Sequence, residues 1–163
     1  MTAEEKQLLL KDLCARLPYG VKMRYKDDSG YEVLCQIDTF YKDVDGFRCL
    51  LRTTGPYGAF QDLNELKPYL RPMSSMTEDE REEIEVFIFN KWYQENSCKI
   101  DKEGWIEILA NYDVSGIDPC FCSDYVDWLN AHHFDYRIDP STGKTLIESG
   151  LAIEAPKDMY KFD

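Results

Sequence analysis

The chain has 163 residues, 44% of them hydrophobic and 13% aromatic, which is enough apolar material for a folded core and excludes a largely disordered protein. Its 31 Asp and Glu against 19 Lys and Arg give a formal net charge of −12, which argues against nonspecific binding to nucleic acid or to an anionic membrane, since both need a positive field. No apolar run approaches the roughly 20 residues of a membrane helix.

The opening MTAEEKQLLL lacks the basic segment and small-residue cleavage site of a signal peptide. The expectation is a cytoplasmic protein with its six cysteines, Cys14, Cys35, Cys49, Cys98, Cys120 and Cys122, reduced. Thr2 and Glu5 form a capping box, and Leu9, Leu10, Leu13, Cys14 and Leu17 keep helical spacing to Pro18 and Gly20. In this helix Asp12 is assigned to the solvent side with Glu4, Lys6, Gln7 and Lys11, whereas Cys14 joins Cys35 and Cys49 as a small core residue.

From Val21 to Phe60 the period changes to two. Val21, Met23 and Tyr25 alternate, as do Tyr31, Val33, Cys35 and Ile37, with turns at 27–30, at Asp45-Gly46 and at 55–58. Short strands joined by tight turns predict a small, strongly bent antiparallel sheet, with an SH3-like barrel as one form of it. Tyr31, Tyr41 and Tyr57 are its candidate binding aromatics, set against the ordinary reading of half-buried packing tyrosines.

Pro68 and Pro72 bracket Tyr69-Leu70-Arg71 and predict a stiff extended connector, or at most an edge strand. Thr77 and Glu80 make a second capping box, and Asp79, Glu80, Glu82 and Glu83 suit the positive end of the helix that follows to about Asn96. That helix carries two apolar stripes, Ile84, Phe87, Ile88 and Trp92 on one side and Val86, Phe89 and Tyr93 on the other. Phe89 and Tyr93 are therefore candidate partner contacts. Further on, Trp105–Tyr112 reads as a short element and Ser123–His133 as a helix. The run 139–144 reads as a hairpin loop or as the cap of a last helix from Thr145 to Ser149 closed by Gly150, and the tail from Ala155 as loose.

Motifs that carry chemistry are weak. Cys120, Cys122, His132 and His133 suggest zinc, but C-x-C and adjacent histidines do not aim pairs of ligands at one ion as C-x2-C or H-x3-H do. Around Gly104 a calcium loop would place Lys99 first and Ala110 last, where acids are required. Gly143-Lys144-Thr145 lacks the glycine of a phosphate loop, since Ile138 stands there. No spacing ties His133, Asp124, Asp127 or Asp135 into an acid–base set. Neither catalytic residues nor a cofactor is expected.

Four blocks stand out in order: LPYGV at 17–21, KPYLRPMSSMT at 67–77, DWLNAHHFDYR at 127–137, and LIE, GLA and EAP between 146 and 156. Their order resembles a group of uncharacterised proteins carried by phages and prophages of anaerobic gut bacteria. In that group Tyr-Arg runs almost directly into the Leu-Ile-Glu block; here 138–145 intervenes, and 96–122 is longer. The resemblance implies a phage-encoded accessory protein in the bacterial cytoplasm and no catalytic residues. The reading is therefore an α+β protein, with a helix and small antiparallel sheet over 1–73 and a mainly helical part over 74–163 packed on it. Its leading function is binding a host or phage protein, or a second copy of itself. The rivals are an acidic mimic of nucleic acid that blocks a DNA-binding defence protein, and an enzyme whose site assembles only on folding.

Overall fold

The computed structural model describes residues 1–26, 29–43, 46–52, 59–88, 119–139 and 141–160, with the backbone alone at 42, 43, 46, 47, 59, 60, 88 and 119–122. The chain is α+β and divides into two compact units, Met1–Met73 with Asn130–Asp163, and Ser74–Leu129. Tyr57, Phe89, Tyr93 and the element expected at 105–112 lie outside the described residues.

In the first unit α1 spans Ala3–Arg16, and both bonds of its capping box form: Glu5 N–H donates to Thr2 Oγ1 at 3.2 Å and Thr2 N–H to Glu5 Oε2 at 2.6 Å. The chain leaves α1 through a 3-10 turn at Leu17–Tyr19, closed by Gly20 with φ 66. A Cβ at Gly20 would stand 3.2 Å from the amide nitrogen of Gln36, which donates to the Gly20 carbonyl, so glycine serves both the left-handed φ and the close approach.

The sheet follows as β1 (Lys22–Lys26), β2 (Glu32–Asp43), β3 (Gly46–Arg52), β4 (Ala59–Asp62) and β5 (Lys67–Pro72), in the order β4-β3-β2-β1-β5 with antiparallel pairing throughout. The register slips between Ile37 and Thr39, and the extra residue, Asp38, accepts from Arg52 at 2.6 Å. Inward residues Met23, Tyr25, Cys35, Ile37, Cys49 and Leu51 share one core with Leu9, Leu10 and Leu13 of α1 and with Leu63, Leu66 and Leu70.

The sheet does not close into a barrel. β4 is four residues long and leads into a 3-10 turn at Leu63–Glu65, while β5 pairs with the C-terminal strands β6 (Phe134–Asp135) and β7 (Ile153–Glu154). Both of those pairings are parallel, so the sheet is mixed. The proline-bracketed segment is thus a strand held by β1, β6 and β7, neither a connector nor an edge. Pro68, which has no N–H to leave orphaned, faces Met23 in the ladder. The region after 133 supplies strands and turns to the first unit, which a mainly helical reading does not contain. In place of a last helix the chain makes turns over 146–150, entered by a third capping box, Thr145 with Glu148, and closed by Gly150 at φ 74.

In the second unit α2 spans Glu78–Ile88, and Thr77 and Glu80 make the predicted box, with Glu80 N–H on Thr77 Oγ1 at 3.2 Å and Thr77 N–H on Glu80 Oε2 at 2.9 Å. Ile84 is buried, whereas Val86 and Phe87 are 51% and 41% exposed. Helix α3 spans Pro119–Ala131, and the Trp128 indole donates to Glu83 at 3.1 Å. Among the described residues no helix is long and apolar enough to cross a membrane.

Candidate functional site

The first unit holds two polar assemblies, one inside and one on its surface. The inner one begins at Asp12. Contrary to the solvent-side assignment, Asp12 and Arg16 are completely buried, one helical turn apart on α1. Arg16 grips the carboxylate through Nε at 2.7 Å and Nη2 at 3.0 Å, and Nη2 also donates to the Phe134 carbonyl at 2.6 Å. Arg137 adds a third bond to Asp12 at 2.9 Å. A buried carboxylate is tolerated because two cations and the fork geometry replace its water. Cys14, expected in the core, lies on the other side of the helix and is exposed.

Asp135 performs a related task, accepting the N–H groups of Leu146 at 3.2 Å and Ile147 at 2.8 Å. Burial pushes its carboxyl above the ordinary range against the pull of those bonds. The tail is not loose: the Tyr160 hydroxyl donates to the Tyr69 carbonyl at 2.9 Å and accepts from Lys22 N–H at 2.8 Å. The Lys22 ammonium donates to the Met159 carbonyl. Parts of three of the sequence blocks therefore meet at β5, which pairs with Phe134–Asp135 and with Ile153–Glu154.

His133 is the odd member of this assembly. It sits just past α3 at φ 60, the sole positive φ outside glycine among the described residues, and its N–H donates to the Asn130 carbonyl at 3.1 Å. Holding a side chain there costs on the order of 1 kcal/mol. The ring is 3% exposed and stacks on Tyr160 with centroids 3.9 Å apart, and Nδ1 has no hydrogen-bond partner. Arg16 Nη1 is the other buried polar atom without one among the described residues. Burial first, then the charges of Arg16, His132, Lys22 and Arg71, push the imidazole down to about 3. It stays neutral at physiological pH and is shut off from solvent, which suits packing better than proton transfer.

For the zinc candidates, His133 is turned into this stack and His132 is half-buried, while the side chains of Cys120 and Cys122 lie outside the described residues. Among the described residues no group of three or more His, Cys, Asp or Glu could hold a metal ion.

The outer assembly is the solvent face of β1, β2 and β3. Pleating puts Arg24 and Lys26 on it from β1, Glu32, Leu34 and Gln36 from β2, and, beyond the bulge, Tyr41, Arg48 and Leu50. Leu34 pairs with Arg24 in register and is 50% exposed, while Tyr31, just before β2, is 73% exposed. Arg24 reaches Glu32 at 3.0 Å. Of the predicted aromatics, Tyr31 is the most open and Tyr41 is half-buried. Sequence reasoning passed over Leu34, whose signal was an apolar residue out of phase with Val33, Cys35 and Ile37. Comparison of the chain with family models, with curated proteins and with solved structures finds no match.

Proposed function

We propose that the chain is a non-enzymatic protein-binding module, a phage- or prophage-encoded accessory protein of the bacterial cytoplasm, that uses the outer face of β1–β3. The observation that carries this reading is Leu34, half exposed on a hydrogen-bonded sheet among Arg24, Lys26, Glu32 and Gln36, with Tyr31 open beside the start of its strand. An apolar centre inside a polar rim is the anatomy of an interface, and tyrosine supplies contact area at low entropic cost. The phage setting rests on the four sequence blocks.

The carboxylates of the first unit give less support to a nucleic-acid mimic, because many are engaged internally: Glu5 and Glu148 in caps, Asp12 and Asp135 in the core, Glu32 and Asp38 with arginines. An enzyme is less supported because the buried histidine has neither solvent nor a carboxylate partner among the described residues. The test is affinity capture from bacterial host lysate with the wild-type chain and with Leu34→Asp. The reading expects a partner retained by the first and lost by the second; an inert monomer, or identical recovery by both, contradicts it.

A further inference from the structure

The pocket at the open end of the sheet suggests what the partner brings. We propose that this cavity of about 550 Å³, lined by Arg24, Tyr25, Lys26, Gln61, Glu65 and Lys67, receives carboxylate side chains from an extended acidic segment of a partner protein. This deepens the binding-module reading and rests on it.

The cavity exists because the sheet fails to close. β1, β4, β5 and the 3-10 turn at Leu63–Glu65 each contribute a wall, so it lies between strands that a closed barrel would bring together. Its charge runs against the composition of the chain. Arg24 faces Lys67 directly across the β1–β5 ladder, and Lys26 stands two residues along β1 on the same side. Like charges opposite one another destabilise a sheet, and two carboxylates stand beside these three cations. Glu32 is taken by Arg24 at 3.0 Å, and Glu65 lines the cavity. Lys26 and Lys67 are exposed and make no ion pair among the described residues. An incoming carboxylate relieves that repulsion, which gives the site both its attraction and its selectivity.

The surroundings favour a protein segment over a polyanion. A continuous phosphate backbone would run onto Glu32, Glu65 and a chain of net charge −12. A segment whose acids are separated by neutral residues can place them on Lys26 and Lys67 and avoid both glutamates. Gln61, half-buried in the cavity wall, offers an amide for the carboxylate or backbone of the segment. Arg24 is also the register partner of Leu34, so the cavity continues the exposed apolar face.

The test titrates the full chain, labelled for amide spectroscopy, with a short synthetic peptide alternating glutamate and valine. A glutamine–valine peptide, citrate, inorganic phosphate and a thymidine oligonucleotide serve as further probes. The proposal expects the glutamate peptide alone to bind, to shift the amides of Gly30, Gln61 and Lys67, and to weaken as salt rises. Lys26→Glu with Lys67→Glu should weaken it at least about tenfold. Lys26→Gln with Lys67→Gln, checked for an unchanged amide spectrum elsewhere, should give a smaller loss in the same direction. Absence of peptide binding, equal binding of the glutamine peptide, or equal binding of citrate, phosphate or oligonucleotide overturns it. If a captured partner depends on Leu34 but not on Lys26 and Lys67, the cavity proposal fails while the binding face stands; if capture ignores Leu34, the face itself fails.

Discussion

Acidification should destabilise the first unit through His133 before it protonates most carboxylates. The imidazole is held near 3 in the folded chain, against an ordinary value near 6.5, by burial and by the neighbouring cations. A histidine depressed on folding contributes stability that is complete above the unfolded value and is lost as pH falls toward the folded one. Between near pH 7.5 and pH 5 the loss is about 2 kcal/mol, and by pH 3 it approaches 4 to 5 kcal/mol. The assay is urea unfolding of the wild type and His133→Asn at both of the higher pH values. Asparagine tolerates the left-handed backbone at φ 60 but does not titrate. All other groups being common to both chains, the wild type should lose about 2 kcal/mol more than the variant on going to pH 5. Equal losses would refute the reasoning, as would a His133 ring that titrates near 6.5 by NMR.

The same core yields further expectations. Asp12→Ala strands Arg16 and Arg137 without their shared carboxylate and should cost roughly 3 to 5 kcal/mol by chemical denaturation; a loss below about 1 kcal/mol would mean water reaches the site. Tyr160→Phe removes the acceptor of Lys22 N–H and the donor to Tyr69, and should cost about 1 to 3 kcal/mol with faster exchange of the Lys22 amide. Burial pushes Cys35 up to about 11 and Cys49 up to about 12, whereas Cys14 is exposed. Brief alkylation of the native chain at neutral pH, read peptide by peptide, should therefore modify Cys14 and spare the other two until denaturant is added.

What the sequence made legible was local. Thr2 with Glu5 and Thr77 with Glu80 set helix starts because each box is closed by residues three apart. The alternation of Val33, Cys35 and Ile37 set a strand because pleating needs no distant partner. Asp12 was misjudged because polarity alone assigns a charge to water; Arg16 lies one turn away, but Arg137 arrives 125 residues later. The place of β5 inside the sheet is hidden because its prolines forbid donors, and two of the three strands that hold it come from after residue 133 and pair in parallel. The tail shows no regular pattern in sequence, yet the Tyr160 hydroxyl fixes it by two bonds to the backbone of Lys22 and Tyr69. On the candidate face, Tyr31 was visible as an aromatic near a turn, whereas the cavity depends on β4 not pairing with β5, which no local pattern encodes.

The most direct trial of the binding face is photo-crosslinking in the bacterial host, with a photoreactive residue at Leu34 and, in a separate chain, at Gln7 on the exposed side of α1. The account predicts a discrete crosslinked protein from position 34 and none from position 7. Crosslinks equal at both positions, or absent from position 34 while the chain is folded and abundant, would contradict it.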